Sequence, residues 1–356
     1  MTRIAQLEPT RVTVGVDTHR DVHVAVALDH LGRRLGEIEL ATTRAGYQRL
    51  LAWAERFGAV EAFGIEGTGC YGAGLARHLR ARKVLVIEVM RPNRQTRRRK
   101  GKSDPTDAEA AARTVLSAEA AGSPKAGDDL VEMIRVLRVA RQTAIKARTQ
   151  AINALRSLLV TAPPELRDEL RALSTSRLVG KAARLRPGPL DSPLTASKLA
   201  LRHLARRYQA LEAEITSLDT QLAQLTAAAS PRLVETFGVG ADTAGALLVA
   251  AGDNPERLRS EAAFSMLCGS SPINASSGKT NRHRLNRGGN RQANAALHRI
   301  VLVRMRYHQP TRTYVDRRTS EGKSKREIMR CLKRYVAREV YTALTQPSEQ
   351  KLARAA

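Results

Sequence analysis

The chain has 356 residues, enough for two or three domains with separate cores. Its 60 Lys and Arg against 34 Asp and Glu give a formal net charge of +26, which favours a polyanionic partner: nucleic acid first, an anionic membrane surface second. There is no N-terminal apolar signal core, no apolar run near the roughly twenty residues of a membrane span, no CxxC pair among three cysteines, and only 3% aromatic content. These absences set aside membrane proteins, disulfide scaffolds, zinc fingers and base-stacking platforms, and the expectation is a cytoplasmic, nucleoid-associated prokaryotic protein.

In chain order, Arg11–Asp17 and Val22–Asp29 are apolar, β-branched runs around the polar Thr18-His19-Arg20-Asp21, which reads as a hairpin. Gly32 turns the chain into a third strand, Leu35–Leu40. A helix over about 44–57, a strand Val60–Glu66, a helix Tyr71–Arg82 and a strand Val84–Val89 follow. Three hairpin-linked strands and then αβαβ predict a mixed sheet with helices on its faces. Asp17 and Glu66 each end an apolar run, where a carboxylate is costly unless it binds something. Asp104 and Asp107 lie three apart at the start of a helix predicted to reach about Ala120. Acids from separate strands facing an i,i+3 pair on a helix form the oxygen-ligand set of a hard-cation site, and two such cations serve phosphoryl transfer. Taken singly, each acid is as well explained by a strand end or a helix N-terminus. Between the sheet and this helix runs Arg91–Lys102, with seven cations in twelve residues and no acid, among them Arg94, Arg97, Arg98, Arg99, Lys100 and Lys102. Its self-repulsion is relieved by a polyanion.

The middle of the chain reads as helical. An amphipathic helix from Leu130 to Leu159 stops at Pro163-Pro164, and residues 174–193 read as an unpatterned connector. Leu201, Leu204, Tyr208, Leu211, Ile215, Leu218, Leu222 and Leu225 then alternate spacings of three and four, a coiled-coil seam. A helical hairpin within the chain or a partner subunit would bury it; the strict period favours the partner, in a homodimer or homotetramer. Beyond Pro231, Gly238-Val239-Gly240 precedes a helix Ala241–Ala251, an arrangement like a helix-hairpin-helix whose glycines admit a phosphate, or an ordinary glycine turn. Further helices are expected over 258–267, 289–305, 310–320 and 324–345, and residues 278–340 hold 18 Lys and Arg against 4 Asp and Glu. The eight histidines show no ligand spacing and read as surface or nucleic-acid-facing residues.

Three blocks, Val14-Gly15-Val16-Asp17-Thr18, Gly64-Ile65-Glu66-Gly67-Thr68-Gly69-Cys70-Tyr71 and Lys102-Ser103-Asp104-Pro105-Thr106-Asp107-Ala108, resemble those of the DEDD transposases of the insertion sequence one-ten family, which includes bridge-RNA-guided recombinases. Phe264 to Pro272 and Ala275-Ser276-Ser277-Gly278-Lys279 resemble that family's C-terminal block, although Gly-Ser-Ser-Pro stands where a more apolar Gly-Leu-x-Pro is usual. The resemblance implies an RNase-H/RuvC-like domain over 9–122 with Mg²⁺ on the four acids (two ions, Mn²⁺ as the alternative), a helical coiled-coil region over 126–229, and a C-terminal transposase domain over 230–346. It further implies Ser277 as nucleophile, with Ser276 beside it, in a composite site that subunits could share, and a structured guide RNA alongside double-stranded DNA of element ends and target. Lys279, Arg282, Arg284 and Arg287 stand close enough in sequence to stabilise phosphorane charge; the bland reading of Ser276-Ser277-Gly278 is a flexible turn. Alternatives are a junction nuclease using water, a site-specific DNA invertase of the same family, an actin-like ATPase, and a non-enzymatic coiled-coil binder.

Overall fold

The computed structural model describes residues 10–89, 103–119, 122–280 and 282–346; the basic run Arg91–Lys102 lies outside the described residues. The chain divides into two compact units, the first of residues 1–129 and 251–259, the second of residues 130–250 and 260–356.

In the first unit, β1 (Arg11–Thr18), β2 (Val22–Asp29) and β3 (Arg34–Ala41) form an antiparallel meander, and β4 (Ala59–Glu66) and β5 (Val86–Val89) add in parallel. The order β3-β2-β1-β4-β5 is the mixed sheet that the strand and helix signals predict, and it is consistent with the RuvC-like domain that the resemblance implies. Alternation sorts its residues by face. Val12, Val14, Val16, Phe63 and Ile65 pack with Leu50 and Ala54 of α1 (Arg44–Glu55) and Leu75 and Leu79 of α2 (Ala73–Arg80). The predicted start of α2 at Tyr71 is two residues early. Gly67 (φ +70°) opens a turn in which the Gly72 amide returns to the Gly67 carbonyl, which delays the helix to Ala73.

The opposite face is covered by α3 (Asp104–Leu116), whose Ala108 and Ala112 pack with Val26 and Leu28. This helix ends short of the expected Ala120: Ser117 caps it and Ala118 turns left-handed at φ +54°. Residues 251–259 return to this unit, where the Asn254 side chain receives the Ala126 amide at 3.0 Å and donates to the Pro124 carbonyl at 3.0 Å.

The second unit is helical, apart from one two-stranded hairpin. Its axis is the pair α4 (Leu130–Val160) and α7 (Pro193–Ala229). Arg141 pairs with Asp219 and Arg148 with Glu212, so the partner number falls as the residue number rises and the helices run antiparallel. This pair corrects the reading of the heptad seam as chiefly a subunit interface. Helix α4 of the same chain packs along α7, with Leu201, Ile215 and Leu222 buried and Leu204, Tyr208, Leu211, Leu218 and Leu225 half-buried.

Residues 174–193 are likewise not a plain connector. Between α5 (Pro164–Leu170) and α7 they form α6 (Thr175–Ala182), whose Leu178, Val179 and Ala182 join a core with Leu155, Leu166, Leu170 and Leu201. The stripe is one turn long, too short to register against the surrounding Ser and Gly.

The unit continues through α8 (Pro231–Glu235), α9 (Ala241–Ala251), the 3₁₀ turn Pro255–Arg257 (which falls in the first unit), α10 (Glu261–Leu267), β6 (Ile273–Asn274), β7 (His283–Arg284), α11 (Arg291–Tyr307), α12 (Gln309–Ser320) and α13 (Lys325–Thr345). Buried Arg304 fastens α11 to α13 through a two-pronged pair with Glu339, 3.0 and 2.7 Å, and donates to the Phe237 carbonyl at 2.9 Å. No described helix is long and apolar enough to cross a membrane.

Candidate functional site

Two glycines set the position of the acids. Gly15 and Gly64 are register partners on adjacent parallel strands, each two residues before an acid and so on the same face as Asp17 and Glu66. A Cβ on Gly15 would lie 2.0 Å from the Ala108 carbonyl oxygen and 2.3 Å from the Ala112 nitrogen; one on Gly64 would lie 2.9 Å from the Ala111 oxygen. Helix α3 therefore rests backbone-to-backbone on the sheet, and its N-terminal turn, carrying Asp104 and Asp107, reaches the strand ends. Ser103 caps that turn, accepting from the Thr106 amide, and Pro105 occupies the first turn, where it costs no hydrogen bond. The Thr18 hydroxyl donates to the Glu66 carbonyl at 2.9 Å, tying the ends of β1 and β4 together.

The side chains that converge are Asp17, His19 and Asp104, whose ligand atoms lie within 4.8 Å of one another. His19 Nε2 stands 3.3 Å from Asp17 Oδ2 and 3.4 Å from Asp104 Oδ2. Asp107 is buried one turn further along α3, near enough for its charge to act on Asp17. Glu66 ends β4 and is not part of the converging trio. Expecting every histidine to face solvent or nucleic acid was wrong for His23, which is fully buried in β2, whereas His19 is partly exposed beside the acids. Asp17 and His19 stand two positions apart, with Thr18 alone between them at the end of β1, a spacing that puts both on one face.

Burial raises the Asp17 pKa; His19 opposes the shift, while the charges of Asp104 and Asp107 add to it. Three buried or half-buried carboxylates that repel one another fit a divalent cation, which would neutralise them. The sign of the linkage follows. A carboxyl whose pKa is higher in the fold than unfolded makes the folded chain the better proton acceptor, so metal-free stability falls as pH rises from the unfolded value to the folded one and is constant above it. Asp17→Asn is expected to raise the metal-free stability at neutral pH by less than about 1 kcal/mol after solvent screening, with the difference vanishing as pH falls below the unfolded carboxylate range. Urea unfolding in a chelator measures this, and a destabilised Asn variant would contradict it.

The second unit carries the serine block. Gly269 and Gly289 cross at the neck of a loop: a Cβ on Gly269 would lie 2.8 Å from the Gly288 oxygen, and one on Gly289 2.6 Å from the Leu267 oxygen. Asn294 donates to the Cys268 carbonyl at 2.7 Å, and Lys333 donates to Asn294 at 2.6 Å. The Cys268 thiol is pushed up to about 12 by burial, so it stays protonated and does not compete as a nucleophile. From this neck β6 and β7 project as an exposed hairpin, closed by paired Ser277 and Thr280 amides and carbonyls at 3.1 and 3.0 Å around Gly278 (φ +54°). Gly at the first central position is the residue a two-residue hairpin turn requires. The Ser276 hydroxyl is held by Asn274 Oδ1 at 2.5 Å and by the Arg282 amide at 3.1 Å. The exposed Ser277 hydroxyl makes no hydrogen bond among the described residues. Lys279, Arg282, Arg284 and Arg287 are all exposed along the same arm.

The glycine turn before α9 is tied up internally. Gly240 N–H donates to Thr243 Oγ1 at 3.0 Å, and Gly238 (φ +82°) packs against Ile300 and Arg304 of α11. Asp242, in the first turn of α9, is held by Arg138, Arg141 and Arg299.

A mixed sheet with acids at its strand ends, met by an acid-bearing helix, is what the resemblance to DEDD transposases implies for this region. Residues 14–164 match the DEDD-type IS110 profile described as Transposase, and residues 230–316 match the profile Transposase IS116/IS110/IS902 family. Two regions of the chain thus match transposase profiles of the IS110 insertion-sequence family. It is similar to the insertion element IS110 uncharacterized 43.6 kDa protein of Streptomyces coelicolor, 36% identical over 140 residues. That alignment covers 38% of this chain and spans about a third, 33%, of the relative's length.

Proposed function

We propose that the protein is an insertion-sequence DNA recombinase that cuts and rejoins strands through a phosphoserine at Ser277, with Mg²⁺ held by Asp17, Glu66, Asp104 and Asp107. The observation that supports the reading is the docking of α3 onto Gly15 and Gly64, which brings Asp104 of α3 to Asp17 at the end of β1, with Glu66 closing the adjacent strand β4. Bound there, Mg²⁺ would supply charge neutralisation at the reacting phosphate and at the departing oxygen.

Ser277 is the better nucleophile of the adjacent pair because the Ser276 hydroxyl already serves the hairpin. In the cleavage step the Ser277 Oγ–P bond forms as the bond from phosphorus to the leaving strand's oxygen breaks. Ser277 loses its proton and the leaving oxygen gains one. The phosphoserine conserves the bond energy, so the reverse step rejoins DNA without ATP. Lys279, Arg282, Arg284 and Arg287 supply positive charge beside the phosphate. The basic stretch Arg94 to Lys102 and the turn at Gly238 and Gly240 extend the nucleic-acid surface, although the Gly240 amide is engaged by Thr243.

The family resemblance adds a structured guide RNA and a homodimer or homotetramer in which acids and serine form one composite site. The net charge of +26 suits both nucleic acids. Asp104→Ala is expected to abolish Mg²⁺-dependent cleavage, a drop of at least about a thousandfold, with little loss of fold because Asp104 is about half exposed. Cleavage of labelled element ends across a Mg²⁺ titration measures it; wild-type activity in that variant would remove the metal site from the mechanism.

A further inference from the structure

We infer that the His19 imidazole is itself a metal ligand beside Asp17 and Asp104, and that it shifts the site from Mg²⁺ toward a divalent first-row transition ion, with Mn²⁺ as the probe. The inference rests on the metal-site reading above and goes beyond it, because an all-carboxylate tetrad offers no nitrogen donor.

The geometry is that of neighbouring ligands and not of a salt bridge. Nε2 lies almost equally far from two carboxylate oxygens, 3.3 and 3.4 Å, yet it is a buried atom with no hydrogen-bond partner. A simple ion pair would turn the N–H toward one oxygen at hydrogen-bond distance. Donor atoms that share an ion at about 2.1 Å stand about 3.0 Å apart at a right angle and about 3.4 Å apart at a tetrahedral angle. The two edges observed at Nε2 fall in that range.

The chain also fixes the donor in place. His19 follows the last residue of β1, and its amide donates to the Val22 carbonyl at 3.2 Å across the turn, so the ring projects from a held backbone beside Asp17. Among the described residues no Lys or Arg pairs with Asp17 or Asp104, although the chain carries 60 such cations. Helix α3 brings Asp104 to His19 from the other side. The consequence is chemical: carboxylates and water suit Mg²⁺, whereas imidazole raises the affinity of transition ions selectively.

The test uses the full chain, titrated calorimetrically with Mn²⁺ and with Mg²⁺, as wild type and as His19→Ala. The expected result is a Mn²⁺ affinity weakened about tenfold or more in the variant, with Mg²⁺ affinity within about twofold. Pulsed electron paramagnetic resonance of the Mn²⁺-loaded wild type should show a nitrogen coupling that the variant lacks. That signature distinguishes a bound imidazole from a residue that only shapes the turn. Equal losses for both ions, or a wild-type spectrum without nitrogen coupling, overturn the assignment of His19. A wild type that binds neither ion overturns the metal-site reading itself.

Discussion

Replacing Ser277 by Ala is expected to eliminate covalent protein–DNA adducts and to lower strand exchange at least about ten-thousandfold, the scale of losing a nucleophile. The fold should be untouched, because the Ser277 side chain is exposed and makes no hydrogen bond among the described residues. The hairpin closure that passes through residue 277 uses its backbone, which Ala keeps. Ser276→Ala is the informative companion. It removes the bonds to Asn274 and to the Arg282 amide, loosening the arm by about 1 kcal/mol, and should cut the rate modestly while adducts persist. Trapping on a suicide DNA substrate, followed by peptide mapping, reads both variants. Adducts in Ser277→Ala would dismiss this nucleophile. Cleavage without an adduct in the wild type would favour water and a junction-nuclease mechanism.

The strands and most helices were legible because their signals are local. Apolar β-branched runs mark β1 and β2 and apolar periodicity marks α4 and α7, whereas Pro163-Pro164, read only as a stop, also opens α5. The acids were legible for the same reason, since a carboxylate closing an apolar run is visible in one dimension. What stayed hidden depends on packing. The heptad seam has the period of a supercoil whether its partner helix comes from another subunit or from Leu130–Val160, and sequence periodicity contains no address. Helix α6 hid because Leu178, Val179 and Ala182 become a core only when α5 and α7 meet them. His19 hid because ligand motifs are sought at helical spacing, whereas its partner is two residues back on a strand and the third member is 85 residues away.

Gly15 and Gly64 were the deepest omission: they read as part of a motif, yet their role is to let a helix touch a sheet. From this follows the largest stability effect expected here. Gly15→Ala would place a methyl 2.0 Å from the Ala108 oxygen and 2.3 Å from the Ala112 nitrogen. Both obstacles are helix backbone, which cannot rotate aside as a side chain can, so α3 must lift. The expected cost is about 3 kcal/mol or more. Divalent-cation affinity should fall with it, because Asp104 and Asp107 ride on the displaced turn. Gly64→Ala meets the Val115 side chain at 2.7 Å and the Ala111 oxygen at 2.9 Å, and Val115 can yield, so about 1–3 kcal/mol is expected there. Gly69→Ala, with nothing within 4 Å, is the control and should stay within about 0.5 kcal/mol of wild type. Urea unfolding and Mn²⁺ titration of the three variants give the ranking. If Gly15→Ala proved as stable as Gly69→Ala, close contact between α3 and the sheet could not be what holds the acids together. If it lost stability but kept its metal affinity, the site would have to be organised by the strand ends alone, with Asp104 and Asp107 as bystanders.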